Sequence, residues 1–133
     1  TQETMNSLEK AIQLNQDNST ALCLLGGVLN EQNNSECVSF YEKSLEKNAN
    51  CYLAFRGLGN FYLKNQQFDK SEKNYTHAIE INENRFGPIY KNRGYVRQQQ
   101  NKMDEAKHDY QDYIKFTPTA KDRGMIERAL NEM

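Results

Sequence analysis

The chain has 133 residues, a length that indicates one domain. Its formal net charge of −1 provides no strong attraction for a nucleic acid or an anionic membrane, and no apolar run approaches the length needed to cross a bilayer. The mean hydropathy of −0.96 indicates a largely polar surface, whereas an aromatic content of 11% argues against a disordered chain.

The first predicted element is a helix within residues 1–18. Thr4, Leu8 and Ala11 follow one another at intervals of four and three residues, a spacing that places them on one face of a helix. The same spacing returns from Cys37 onward, 33 residues after Thr4. The segment is therefore predicted to be the second helix of a truncated repeat. Its uncovered apolar edge is the basis of a further hypothesis, self-association of the chain.

The first full repeat is predicted at residues 19–51. Ser19 precedes an apolar-periodic run and is predicted to cap the first helix. A short polar turn at Asn33 and Asn34 separates this helix from a second one. On that second helix Tyr41 stands between small residues at helical spacing, which marks one face. The pattern predicts a helical hairpin.

The second full repeat is predicted at residues 52–85. A polar turn at Gln66 and Gln67 separates its two helices. Asp69 falls in the first turn of the second helix, where the helix dipole favours a carboxylate. These signals again predict a helical hairpin.

The third full repeat is predicted at residues 87–120. Pro88 suits the first turn of its first helix, and Pro118 ends the repeat because it disfavours helical backbone at the preceding residue. Arg97 stands where an aromatic residue is expected, which indicates either a packing defect or an arginine that snorkels past its neighbours. A C-terminal capping helix is predicted at residues 119–133, because Thr119 and a carboxylate three positions later resemble a capping box.

Marks in all three repeats recur with one period. The first helices carry aligned glycines at Gly26, Gly59 and Gly94, which are 33 and 35 residues apart. The second helices carry aligned small residues, each followed by a tyrosine four positions later. One such hairpin cannot bury its apolar face alone, so neighbouring hairpins must stack. The sequence therefore predicts an all-α solenoid of helix pairs.

The clearest motif lies in the middle repeat and combines aromatic, apolar and small residues at fixed spacing: Phe55, Leu58, Gly59, Tyr62, Phe68, Ser71, Tyr75 and Ala78. This motif, repeated in tandem over nearly the whole chain, resembles the tetratricopeptide repeat family. The resemblance implies one domain over residues 1–133, a right-handed superhelix of antiparallel helix pairs. It also implies that the first helices line a concave groove for an extended peptide or a partner helix. We therefore expect a non-enzymatic protein-interaction scaffold.

The groove of such a superhelix is lined by the face of the first helices that points away from the second helices. By helical geometry this face is apolar in the first repeat and rich in basic and amide groups in the other two. Arginine donates a planar fork to a carboxylate, and asparagine can bond both groups of a peptide backbone. The predicted peptide-binding residues are Arg56, Asn60, Lys64, Lys91, Asn92, Tyr95 and Gln99. The other groove-facing positions are Thr20, Cys23, Leu24, Gly27, Asn30, Leu53, Leu63 and Gln98.

Two alternatives to this interpretation stay open. The basic side chains could be solvated surface charges without a binding role. The other alternative is a co-chaperone-type module that captures an acidic C-terminal tail, for which the resemblance implies a carboxylate clamp across three first helices. Arg56, Asn60 and Asn92 occupy the first positions of that clamp, with arginine in place of lysine. The terminal helix offers Lys121, but Met125 stands where an arginine is expected, so the clamp is partial.

Motifs of enzymes and of metal or cofactor sites are missing from the sequence. There is no glycine-rich phosphate loop, no HExxH and no nucleophile elbow, and His77 and His108 lack catalytic partners. Cys23, Cys37 and Cys51 form no CxxC pair, so we expect three reduced, mostly buried thiols instead of a zinc site. We expect no cofactor, no nucleic-acid partner and no membrane insertion, and an intracellular location is favoured.

Overall fold

The computed structural model describes residues 3, 6, 9, 10, 18–81 and 87–133. These residues form helices joined by turns, and none of them lies in a strand. Residues 3, 6, 9 and 10 are helical and exposed, but the rest of the helix predicted at 1–18 falls outside the described residues. The seven continuous helices are α1 (Ser19–Glu31), α2 (Cys37–Lys47), α3 (Tyr52–Lys64), α4 (Phe68–Ile81), α5 (Gly87–Gln99), α6 (Met103–Phe116) and α7 (Arg123–Glu132).

Consecutive helices pack as three hairpins, α1 with α2, α3 with α4, and α5 with α6. In the first hairpin Ser44, near the end of α2, donates a 2.8 Å hydrogen bond to the carbonyl oxygen of Ser19 at the start of α1, so the two helices are antiparallel. Both α3 and α5 also pack against the second helix of the preceding hairpin. The hairpins therefore stack in chain order, and the predicted all-α repeat fold is confirmed.

The turn within each hairpin contains one residue with left-handed backbone. Asn33, Gln66 and Asn101 have φ angles of 56°, 60° and 61°. One position later, a backbone N–H returns to the carbonyl oxygen five residues earlier, over 2.8–2.9 Å in the three turns. This bond satisfies one of the carbonyl groups that a helix leaves unpaired at its C-terminal end. The same closed turn therefore ends all three first helices.

The cap of α1 differs from the prediction. Asn18 caps the helix: its backbone is extended, and its side-chain oxygen accepts a 3.0 Å hydrogen bond from the Ala21 N–H. Ser19, the predicted cap, lies inside the helix, and its hydroxyl lies 2.8 Å from the Ser44 hydroxyl of α2. Asparagine and serine cap helices about equally well, so contact with α2 decides between these neighbours.

The C-terminal helix also begins later than predicted. Residues 119–133 were expected to form it, but α7 begins at Arg123 and Asp122 is its N-cap residue. The Asp122 side chain makes no cap hydrogen bond, because its carboxylate accepts hydrogen bonds from Lys91 and Tyr113 instead. A tertiary contact therefore replaces the predicted capping box.

The expectation that Arg97 marks a packing defect or a snorkelling side chain was wrong, because Arg97 is held by ion pairs. It forms ion pairs with Glu72 of α4, at 2.9 Å, and with Asp109 of α6, at 3.0 Å. Asp109 is fully buried and also accepts a 2.7 Å hydrogen bond from Arg93. Lys102 completes the group with a 2.8 Å pair to Glu72. This ionic cluster joins the second hairpin to the third.

Two apolar clusters run through the array. The first is built by α1, α2 and α3, and the second by α4 to α7 with partly buried residues of α3 packed against it. The second hairpin thus contributes to both clusters. The hairpins consequently share their cores, which holds α1 and α3 side by side and forms the walls of the site described next.

Candidate functional site

A cavity of about 580 Å³ opens between α1 and α3. Its size falls within the range of ligand pockets in proteins, roughly 300–1,000 Å³. Three of the predicted peptide-binding residues, Arg56, Asn60 and Lys64, lie along its α3 wall. The remaining groove-facing positions in its lining are Cys23, Leu24, Gly27, Asn30, Leu53 and Leu63. Most of the groove-facing positions predicted on α1 and α3 thus line one cavity.

The mouth of the cavity is apolar. Leu24 of α1 and Leu53 of α3 both line it, although their side chains are 49% and 39% exposed. Large exposed apolar side chains that share a concave surface are typical of interaction sites. The two leucines therefore offer a surface on which an apolar side chain of a ligand can be buried.

Arg56 brings positive charge to this apolar surface. Its guanidinium lies 5.7 Å from the centre of the Tyr52 ring, a distance at which the cation and the ring attract each other. The charge of Arg56 also acts on the Tyr41 hydroxyl, which lines the cavity. Burial raises the pKa of Tyr41 to about 12, while a hydrogen bond from Asn30 and the charge of Arg56 act against that rise. The lining thus carries the positive charges of Arg56 and Lys64 beside the carboxylate of Glu31.

Lys64 and Asn30 connect the two walls of the cavity. The Lys64 ammonium donates a 2.7 Å hydrogen bond to the Asn30 carbonyl oxygen, which belongs to the last turn of α1. The buried Asn30 amide donates a 3.1 Å hydrogen bond to the Gly57 carbonyl oxygen of α3. Because a lysine ammonium has three N–H groups, Lys64 supports the end of α1 and keeps donors for a ligand.

The predicted residues on α5 lie outside this cavity. Lys91 forms a 2.8 Å ion pair with Asp122, Tyr95 is 47% exposed, and Gln99 is exposed. Gln98 accepts a 2.9 Å hydrogen bond from the Tyr110 hydroxyl. The structure therefore divides the predicted surface into a cavity at α1 and α3 and a separate stretch along α5.

Asn60 and Asn92 meet at one point between these two parts. The Tyr75 hydroxyl donates a hydrogen bond to the side-chain oxygen of Asn60. Burial raises the pKa of Tyr75, and a hydrogen bond from the Asn92 side chain acts against that rise. The Tyr75 hydroxyl is thus bonded to Asn60 and lies near Asn92, although the asparagines belong to different repeats.

The remaining positions of the predicted clamp are not brought to this point. Lys121 lies in the turn before α7, so it is not on the terminal helix as expected, and Met125 is 60% exposed on that helix. Between these two residues, the Asp122 carboxylate accepts a hydrogen bond from Lys91. That bond and a second one from Tyr113 lower the pKa of Asp122. The clamp positions that come together are those on α3 and α5.

Other chemistry is sparse in the part of the chain that the structure describes. His77 lies 3.8 Å from Glu80, and His108 lies 3.4 Å from Asp112, each a neighbour on its own helix. Within residues 18–81 and 87–133 no three metal-ligating side chains come together. None of the helices described above is long and apolar enough to span a membrane.

The tetratricopeptide repeat family matches residues 57–85, from the middle of α3 past the end of α4. No curated protein matches the chain in sequence. The solved structure of YrrB, described as a TPR protein with an unusual peptide-binding site, is similar with a TM-score of 0.83 at 20% identity. That match covers 94% of this chain and 68% of YrrB.

Two further solved structures are similar over most of the chain. MamA has a TM-score of 0.79 at 16% identity, covering 96% of this chain and 78% of MamA. The first TPR domain of Spaghetti (RPAP3), solved bound to the HSP90 peptide SRMEEVD, has a TM-score of 0.77 at 20% identity, covering 86% and 90% of the two chains. The chain therefore has the fold of tetratricopeptide-repeat proteins, and the repeat itself is matched at residues 57–85.

Proposed function

We propose that the protein is a non-enzymatic scaffold that binds an extended peptide or a partner helix along the cavity between α1 and α3. The observation that carries this proposal is the meeting of two exposed leucines with Arg56, Asn60 and Lys64 in one concave surface. A peptide with an apolar residue next to an acidic one matches both features. YrrB, which shares the fold, is described as having a peptide-binding site, and this supports the proposal.

Each part of the cavity has a role in this binding. Leu24 and Leu53 bury an apolar side chain of the peptide, which is the main favourable contribution. Arg56 pairs with a carboxylate in fork geometry, and the Asn60 amide bonds the peptide backbone. The side chains of Lys91, Asn92, Tyr95 and Gln99 extend the contact along α5 for a ligand long enough to reach them.

Selection of peptides from a displayed library, followed by calorimetry, tests the proposal. An enriched peptide is expected to lose about tenfold or more in affinity, roughly 1.4 kcal/mol, for Arg56→Ala or Leu53→Ser. Lys73→Ala is the matched control, because Lys73 is exposed on α4 and does not line the cavity. Equal affinity for all three variants, or no enrichment, would contradict binding at this cavity.

A second candidate is the capture of an acidic C-terminal tail. It is favoured by the convergence of Asn60 and Asn92 at Tyr75, and by the similarity to the RPAP3 domain solved with the HSP90 peptide. The ion pair between Lys91 and Asp122 counts against it, because that ammonium already has a carboxylate partner. The chain could then hold a terminal carboxylate with Arg56 and the two asparagines alone.

The peptide SRMEEVD with a free C-terminus and its amidated form separate the two candidates. Tail capture predicts tighter binding of the free carboxylate, a preference lost in Asn92→Ala and weakened at high salt. Equal affinity of the two forms would remove this candidate and leave the general scaffold. Self-association through residues 1–18 stays a prediction, which sedimentation at rising concentration can test.

A further inference from the structure

Cys51 lies at a junction of three helices. It is the N-cap residue of α3, with extended backbone. Its sulfur lies 3.5 Å from the Ser44 hydroxyl oxygen of α2. Ser44 is fully buried, and its hydroxyl also lies 2.8 Å from the Ser19 hydroxyl at the start of α1. One small polar cluster thus joins α1, α2 and the beginning of α3 inside otherwise apolar surroundings.

Cys23 belongs to the same junction. It follows Ser19 by four residues on α1, which places both on one face of that helix, one turn apart. It is 4% exposed, it packs in the apolar cluster that Cys51 also contacts, and it lines the cavity between α1 and α3. The Cys23 and Cys51 thiols therefore lie next to each other, with the Ser44 hydroxyl adjoining both.

The third cysteine lies away from this pair. Cys37 begins α2, seven residues before Ser44, which is about 10 Å along a helix axis. It is fully buried, and burial raises the pKa of its thiol while the charge of Lys64 acts against the rise. Cys37 therefore serves as an internal reference thiol.

The two paired thiols differ in pKa and in exposure. Burial acts to raise the pKa of Cys51, but the polar groups around its sulfur, first among them the Ser44 hydroxyl, outweigh burial and leave the pKa below its ordinary value. Burial raises the pKa of Cys23 to about 12. The thiolate is the nucleophilic form of cysteine, and a helix N-terminus favours it. Cys51 is only partly buried whereas Cys23 is 4% exposed, so a small solute reaches the Cys51 sulfur first and Cys23 reacts in a second step.

We propose that Cys51 and Cys23 form a hydroperoxide-sensitive pair that is converted to an intramolecular disulfide. The Cys51 thiolate attacks one oxygen of the peroxide, so that an S–O bond forms, the O–O bond breaks and hydroxide leaves. The Cys23 thiol then loses its proton, its sulfur displaces the hydroxyl group from the Cys51 sulfenic acid, and water leaves. For hydrogen peroxide, two thiols lose two electrons and the peroxide becomes two molecules of water.

This disulfide would tie α1 to the N-terminus of α3, the two helices that form the cavity walls. The inference does not depend on what the cavity binds, because its chemistry lies in the thiols themselves. A thiol reductant reverses the reaction by exchange.

The test uses the reduced full chain and graded hydrogen peroxide at neutral pH. The expected product is a monomer that has lost two of its three thiols and two hydrogen atoms in mass, and that regains both with dithiothreitol. Cleavage after glutamate separates Cys23 from Cys37, because Glu31 and Glu36 lie between them. Mass spectrometry should then find the Cys23 fragment joined to the Cys51 fragment.

Three variants distinguish the steps. Cys37→Ser should form the same disulfide at the same rate. Cys23→Ser should stop at a Cys51 sulfenic acid that dimedone traps, and Ser44→Ala should slow the reaction severalfold while circular dichroism shows an intact helical fold. The proposal is overturned if the wild-type chain reacts no faster than glutathione, if the bond includes Cys37 or a second chain, or if Cys51 oxidises without joining Cys23.

Discussion

The ring of Tyr41 lies between two glycines on neighbouring first helices. A Cβ atom added at Gly26 of α1 would lie 2.9 Å from the Tyr41 ring, and one added at Gly57 of α3 would overlap it more deeply. Tyr75 stands in the same relation to Gly59. The tyrosines of the second helices therefore fill the space that the glycines of the first helices leave open, which sets how closely the helices approach.

Gly57→Ala should destabilise the fold. Alanine favours a helix over glycine by about 1 kcal/mol, but the overlap with Tyr41 costs about 1–3 kcal/mol because the ring is buried. We expect a net loss of free energy of unfolding, measured by urea denaturation. Gly124→Ala in α7 is the control, since a Cβ there meets no atom within 4 Å, and it should stabilise by up to about 1 kcal/mol. A stabilised Gly57→Ala variant would contradict the tight packing at Tyr41.

Asp109 is a buried carboxylate held by two arginines of α5. Its side chain is 1% exposed and accepts hydrogen bonds from Arg93 at 2.7 and 3.0 Å and from Arg97 at 3.0 Å. Burying one charge without its partner is far more costly than burying a matched pair. Asp109 therefore anchors the two arginines that reach Thr76 and Glu72 of the second hairpin.

Asp109→Asn should lower the free energy of unfolding by about 3–5 kcal/mol, because two arginines then keep their charge without a buried anion. Urea denaturation measures the loss. Asp104→Asn is the matched control; Asp104 is exposed in the first turn of the same helix, so its removal should cost under about 1 kcal/mol. Similar losses for the two variants would show that Asp109 is not the centre of the junction.

At the scale of elements, α7 is attached through the residue that precedes it. Asp122 accepts a 2.8 Å hydrogen bond from Lys91 of α5 and another from Tyr113 of α6. The bond from Lys91 is the main reason that the pKa of Asp122 lies below its usual value. A carboxylate with a lowered pKa in the folded state stabilises that state only while it is ionised.

The contribution of Asp122 should therefore disappear in acid. It is fully present above the ordinary aspartate pKa of about 4 and is lost as the pH falls through the lower pKa of the folded state. Asp122→Asn should cost up to about 1 kcal/mol at neutral pH, and the gap to wild type should narrow toward pH 3. Urea denaturation across this range measures the gap. Glu127→Gln is the control: it removes an exposed pair with Arg123 inside α7 and should hardly change the free energy of unfolding at neutral pH. If the difference in free energy between Asp122→Asn and wild type did not depend on pH, the role of the Asp122 charge would be refuted.

On the scale of the whole molecule, the stability of the array is divided between its two apolar clusters. Leu25, Tyr41 and Leu58 belong to the first, while Tyr75 and Tyr110 belong to the second. In a stacked repeat protein each unit contacts only its neighbours, so damage to one unit spreads mainly to the units that touch it. The two ends of the chain should respond separately to a local loss of packing.

Leu25→Ala should weaken α1, α2 and α3 more than α6. Leu25 is 2% exposed, and truncating such a leucine costs about 2–5 kcal/mol. Native-state hydrogen exchange should show a larger loss of protection in the first three helices than in α6. Leu24→Ala, at the neighbouring and exposed position, is the control and should leave both regions nearly unchanged. Equal losses in α1 and α6 would indicate that the array unfolds as a single unit.

Much of the fold was predictable because it is local and periodic. The spacing of glycines and tyrosines placed the hairpins, and the polar pairs beginning at Asn33 and Gln66 marked turns that the structure contains. Periodicity also placed Arg56, Asn60 and Lys64 on one face of one helix, so their shared position in the cavity followed from helical geometry. Local backbone preferences and a helical repeat are enough for such predictions.

The sequence alone determined the helical repeat and the face on which each side chain lies, since both follow from short-range spacing. The tertiary structure decided which of these side chains meet. Lys91 forms an ion pair with Asp122, and Arg97 forms ion pairs with Glu72 and Asp109. These pairings join residues from different parts of the array, which lie 12 to 31 positions apart in the chain. The residues of α5 do not line the cavity between α1 and α3. A helical period specifies direction around one helix axis, but the partner across an interface depends on how neighbouring helices stack.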